Sequence, residues 1–140
     1  MKNFRKLNGI SMAVALFACL MSLSTHGNAA SYHASVQLPT LHSKDYVYTT
    51  HLQVPNSIGT ALTINAVSWS WNVHGWPRGL QVYLCQTPTR CMDVSRQRIG
   101  STNMFNGIHY PHALYYEMKL SHPGRTPVAG LLGGVTVEFS

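Results

Sequence analysis

Apolar and polar residues alternate along most of this chain. From Tyr46 onward, Tyr48, Thr50, Leu52 and Val54 fall on one side of an extended backbone, and Val47, Thr49, His51 and Gln53 fall on the other. A period of two is the signature of a β-strand whose faces meet different surroundings. The same alternation recurs in Val67, Trp69, Trp71 and Val73, in Leu80, Val82 and Leu84, in Leu114, Tyr116, Met118 and Leu120, and in Val135, Val137 and Phe139. Residues 30–38 supply a further strand, and residues 91–94 and 101–105 supply shorter ones.

Turn formers separate these runs: Pro55-Asn56-Ser57, His74-Gly75-Trp76-Pro77-Arg78-Gly79, Asn106-Gly107, Tyr110-Pro111, Pro123-Gly124 and Gly133-Gly134. None of the intervals between them carries an apolar stripe at helical spacing, so the pattern predicts little or no helix. Short strands punctuated in this way predict an all-β fold, an antiparallel β-sandwich or small barrel of about seven or eight strands. No repeat, low-complexity tract or linker interrupts it.

The N-terminal region follows a different rule. Lys2, Arg5 and Lys6 precede ten consecutive apolar residues, 12–21, and Gly27-Asn28-Ala29 forms a small-x-small site. This is the layout of a secretory signal peptide over residues 1–29, with cleavage expected after Ala29. The apolar run is shorter than the roughly 20 residues needed to cross a bilayer, which argues against an uncleaved anchor. Leu16-Phe17-Ala18-Cys19 loosely matches a lipoprotein box, but Phe17 and the apolar residues after Cys19 argue against lipidation. Taking 29 residues from 140 leaves 111, which fits a single domain over residues 30–140, located in the periplasm with no stable membrane insertion.

Removing the leader also changes the charge. Three of the ten basic residues go and all four acidic residues stay, so seven minus four leaves +3. No run of like charge remains to track a phosphate backbone, and nucleic acid is not an expected partner.

Two cysteines remain beyond the leader, Cys85 and Cys91. An even pair in an oxidising compartment reads as one disulfide, here closing the base of a hairpin around Pro88. The rival readings, a redox pair or a metal site, need a C-x-x-C spacing or two further thiolates. The chain has neither.

Catalysis has no visible seat. The acidic residues are Asp45, Asp93, Glu117 and Glu138, and no two are close enough in sequence to suggest a paired acid–base site. The nucleophile-elbow, phosphate-loop, zinc-helix and calcium-loop patterns are all absent. The chain is therefore expected to be non-enzymatic, with no cofactor. Seven histidines follow the leader, but only His109 and His112 are close in sequence, and Pro111 between them makes a turn. Ordinary surface histidines are expected, with no metal site. Trp69 and Trp71 share a strand face with Val67 and Val73 and are expected in the core, whereas Trp76 sits in a turn, where a large ring must pack or bind.

The residues around the cysteines resemble a known family. Gly79-Leu80-Gln81-Val82-Tyr83-Leu84-Cys85 followed by Arg90-Cys91 is similar to the core motif of the flagellar FlhE family. Phe105-Asn106-Gly107, then Pro123-Gly124-Arg125 with Pro127, then Val135-Thr136-Val137, follow in the same order, and the likeness spans residues 60–140. The resemblance implies a small periplasmic β-sandwich protein encoded with the flagellar export apparatus. It also implies a role in flagellar assembly and in limiting proton leak through the type III export channel, as a plug or a chaperone. It brings no catalytic residues; it carries the Cys85–Cys91 pair. The expected partners are the export apparatus or basal-body and rod components, and Trp76 and Arg78 are the candidate partner-binding residues. Two other binding roles fit the same pattern, a carbohydrate-binding module using the tryptophans and a fimbrial assembly protein.

Overall fold

The computed structural model describes residues 30–58, 62–109 and 114–140. Its strands are β1 (Ala30–Gln37), β2 (Tyr48–His51), β3 (Leu62–Val73), β4 (Leu80–Thr87), β5 (Arg90–Asp93), β6 (Ile99–Thr102), β7 (Gly107–His109), β8 (Tyr115–Leu120) and β9 (Gly130–Phe139). They form two antiparallel sheets, one ordered β1-β9-β3-β6 with β7 also on β3, the other ordered β2-β8-β4-β5. β6 pairs with residues 67–70 of β3 and β7 with residues 62–64, so the two are pieces of one interrupted edge. With that edge taken as one strand, the sandwich has eight strand positions, within the seven or eight that the alternation predicts. A three-residue 3-10 turn at Asn56–Ile58 is the helical element among the described residues. The expected signal peptide, Tyr110-Pro111 and His112 lie outside the described residues.

The alternating residues face inward as their period requires. Val67, Trp69, Trp71 and Val73 of β3, with Val135 and Val137 of β9, are buried against Val82 and Leu84 of β4 and Tyr116, Met118 and Leu120 of β8. Each such side chain contributes about 1.5–3 kcal/mol by leaving water, which is the main force holding the sheets together. The indole N–H groups of the two buried tryptophans find partners, Trp69 at the Gln97 carbonyl (2.9 Å) and Trp71 at the Val94 carbonyl (3.0 Å). That satisfies the one polar atom each would otherwise bury unpaired.

Two segments depart from simple alternation. Residues 101–105 do not form one strand; β6 ends at Thr102, and Phe105 is fully buried from the following loop. On β9, Gly130 pairs with Val73 and Gly133 with Trp71, so Asn72 alone stands opposite Leu131 and Leu132. Two residues against one is a β-bulge, and it turns both leucines outward where strict alternation would bury one.

Four of the connections between the sheets lie at the same end of the sandwich. Residues 38–47, 74–79, 94–98 and 121–129 join β1 to β2, β3 to β4, β5 to β6 and β8 to β9. Backbone hydrogen bonds knit them to one another and to the strand ends: Leu41 with Val128 in both directions (2.8 and 3.0 Å), His74 N–H to the Ala129 carbonyl (2.9 Å), Asp45 N–H to the Leu120 carbonyl (2.8 Å), and Ser121 N–H to the Gly79 carbonyl (2.9 Å). We call this end the loop pole. No helix among the described residues is long and apolar enough to cross a membrane.

Candidate functional site

The β3–β4 turn carries both sequence candidates. Gly75 and Gly79 adopt φ of 72° and 74°, left-handed values that glycine reaches without strain, and they let the chain reverse between the sheets. A methyl group at position 79 would run into the Ser121 carbonyl oxygen, so this turn is packed down on the β8–β9 loop.

Trp76 projects from the turn and is 83 % exposed. It is nonetheless positioned. The Arg98 guanidinium lies over its ring, 3.8 Å from the centroid, and 5.0 Å from the Trp71 ring. Arg98 is itself held in place, donating to the Asn72 side-chain oxygen (2.6 Å), the Val73 carbonyl (3.2 Å) and the Gly75 carbonyl (2.6 Å). A guanidinium over a tryptophan face contributes about 0.5–2 kcal/mol depending on desolvation, enough to orient an otherwise free ring. The Arg98 Nε is buried without a hydrogen-bond partner.

The result is an aromatic platform beside a groove of about 410 Å³ lined by Ser70, Trp71, Asn72, Trp76, Arg98, Ile99 and Leu132. Ile99 is 75 % and Leu132 64 % exposed, so the rim is apolar. Arg78 does not join it. Its side chain lines a second cleft, of about 470 Å³, with Pro77, Pro123, Gly124 and Arg125. The structure thus separates the two sequence candidates onto either side of one turn and supplies Arg98 as the cation that partners Trp76. Trp76 and Arg98 are 22 positions apart in sequence, and no local motif links them.

Cys85 and Cys91 are directly opposed on β4 and β5 and joined by a disulfide, below a turn at Pro88 and Thr89. Arg90 donates to the Met104 carbonyl (2.6 Å) and more weakly to that of Asn106 (3.3 Å), tying this hairpin to the β6–β7 loop. Among the described residues, Cys85, Cys91 and Glu117 form a group of potential metal ligands within reach of one another, but its two sulfurs are bonded together and offer no thiolate.

The carboxylates have structural surroundings. Hydrogen bonds from Ser95, side chain and backbone, hold the Asp93 carboxyl below its ordinary range, with the nearby Arg96 charge adding to the effect. Glu117 and Glu138 stand on strands of different sheets. Of the histidines, His33 on β1 contacts the Thr136 hydroxyl (3.0 Å), His51 on β2 packs on Tyr115, and His42, His74 and His122 lie in the loops of the loop pole.

A disulfide-stapled antiparallel sandwich with a tryptophan held in place by an arginine on a connecting loop defines the class, an all-β sandwich protein. Comparison with known proteins gives it a family. The model of the flagellar protein FlhE family matches residues 39–140, and the chain belongs to that family. A crystal structure of FlhE is 19 % identical, with 81 % of this chain and 98 % of that chain covered at a TM-score of 0.67. A structure of the Aeromonas sobria serine protease with its chaperone ORF2 is 11 % identical at a TM-score of 0.53, covering 86 % of this chain and 29 % of a longer one. At these identities both likenesses concern the fold. No curated protein matches the chain.

Proposed function

We propose that this chain is a non-enzymatic periplasmic accessory factor of flagellar assembly that limits proton leak through the flagellar type III export apparatus. The observation that carries this reading is the family match over residues 39–140. The fold and the groove are compatible with the role in physical terms. A channel leaks protons while a continuous water path persists, and a small rigid domain docked at its periplasmic mouth displaces that water. Docking needs an apolar anchor that is already ordered, because ordering a loose side chain on binding costs about 0.5–1.5 kcal/mol. Trp76, clamped by Arg98 beside Ile99 and Leu132, is such an anchor. The partner in this reading is the export apparatus or an adjoining basal-body or rod component. A chaperone role would instead use an open sheet edge to cover a subunit in transit.

The test is cytoplasmic pH and motility in a strain deleted for this chain, with and without its export channel. Acidification that disappears when the channel is also removed supports the reading. Normal cytoplasmic pH with normal flagella overturns it.

A further inference from the structure

The linear sequence has no basic cluster, yet the fold makes one. Of the seven lysines and arginines beyond position 29, five lie in the four loops of the loop pole: Lys44, Arg78, Arg96, Arg98 and Arg125. Asp45 is the acidic residue in those loops, and Asp93 ends the adjoining strand β5. Arg98 is held through its two terminal nitrogens, but Lys44, Arg78 and Arg125 are exposed and make no hydrogen bond or ion pair with any described residue. Arg78 and Arg125 line the same cleft.

The exposed apolar residues gather at the same end. Of the seven large apolar side chains exposed among the described residues, Met104 alone lies away from it. Trp76, Tyr46 and Val47 stand in its loops, and Ile99, Leu131 and Leu132 at the first turns of β6 and β9 beside them. Tyr46 is 60 % exposed, on a loop that is not loose: the Tyr48 hydroxyl accepts from the His42 and Ser43 backbone N–H groups, both at 3.1 Å.

Unpaired cations and exposed aromatic rings on neighbouring loop tips suit one kind of surface. At a bilayer interface tryptophan and tyrosine settle at headgroup depth, while arginine binds phosphate through its planar fork and lysine as a point charge. An acidic protein would match the arginines, but its contact area would have to reach apolar residues spread over both sides of the β3–β4 turn. A lipid surface meets several loop tips at once. We infer that the loop pole is a peripheral membrane-binding surface that recognises the phosphate headgroups of anionic phospholipids. No strand inserts; the sandwich stands on the bilayer by its loops. This goes beyond the flagellar reading and does not depend on it.

The experiment is co-sedimentation of the protein, purified from the periplasmic fraction of cells expressing the whole reading frame, with vesicles of phosphatidylglycerol and phosphatidylethanolamine. Vesicles of phosphatidylcholine and soluble polyglutamate serve as the comparisons. The expected result is binding to the phosphatidylglycerol vesicles with a blue shift of tryptophan emission that Trp76→Ala abolishes. Binding should weaken as salt shortens the screening length from about 10 Å at 0.1 M to about 3 Å at 1 M. Replacing Arg78 and Arg125 by alanine should weaken it about fivefold per arginine, with an unchanged circular dichroism spectrum. Absence of binding at low salt, equal binding to phosphatidylcholine, or capture by polyglutamate without capture by vesicles would each overturn the inference. Because it is read on purified protein, failure here leaves the flagellar reading standing, and a normal deletion strain leaves the vesicle result standing.

Discussion

The Tyr116 hydroxyl lies 2.8 Å from the carbonyl oxygen of Gly134, bridging β8 of one sheet to β9 of the other. It lies also 3.0 Å from the Ser70 carbonyl on β3, and the whole side chain is buried. A single phenol thus fixes the offset of the two sheets at their centre. Tyr116→Phe keeps the ring and removes the proton donor, which should cost about 1–2 kcal/mol. A fall in the urea midpoint with an unchanged slope is the expected outcome.

The same hydroxyl makes stability sensitive to alkali. Burial pushes the Tyr116 phenol far above the usual tyrosine value, against the opposing effect of its two backbone contacts, and burial raises Tyr32 and Tyr115 as well. A folded-state value above the unfolded one means that the contribution is intact below about pH 10 and is lost as pH rises beyond it. Urea midpoints measured from pH 8 to pH 11 should decline steeply above pH 10 in the wild type. The decline should be shallower in Tyr116→Phe.

The Cys85–Cys91 bridge closes a short loop, with a sequence separation of 6. In the chain-entropy model a loop of this size stabilises by about 2 kcal/mol. Reduction should therefore lower the unfolding free energy by about that amount without abolishing the fold, because the cross-strand pairs Tyr83–Asp93 and Leu84–Met92 remain. Paired urea titrations with and without reductant measure it. They are cleaner than alanine replacement, which would also open space at the fully buried Cys85.

Trp76 and Arg98 should separate stability from recognition. Trp76→Ala removes a largely exposed ring and its contact with Arg98 and should lower stability by no more than about 1 kcal/mol, while removing any binding that uses the platform. Arg98→Ala releases three acceptors, among them the carbonyls of Val73 and Gly75, and should destabilise by about 1–3 kcal/mol. Arg98→Lys should not rescue it, since an ammonium cannot span those acceptors and stack at once. Thermal melts of the three variants, with the vesicle assay beside them, give the comparison.

The strands were legible because each runs for several residues with one face buried, as in Val67, Trp69, Trp71 and Val73. Alternation misleads where the backbone breaks its own period. Phe105 reads as the end of a strand but reaches the core from a loop, and Gly133-Gly134 reads as a turn but lies inside β9, just past the bulge at Leu131 and Leu132. Trp76 was visible as a ring without an obvious place. Arg98 was not, because the contact joins a β3–β4 turn to a β5–β6 loop, and only strand order brings those together. The basic pole was hidden for the same reason: its charges are spaced far apart in sequence, and four separate crossings collect them.

The pairing of β1 with β9 sets the order of events in folding. Residues 30–37 find their ladder partners only in residues 132–139, and β9 is also the strand that links β1 to β3. While the chain is being made, β1 therefore has nothing to pair with until β9 has been made, and the sheet it belongs to lacks its centre. Contacts of such long separation form late and slowly. In a chain built this way the β1 edge of the sheet can close only once β9 is in place, so the two ends of the folded domain lock together in one step.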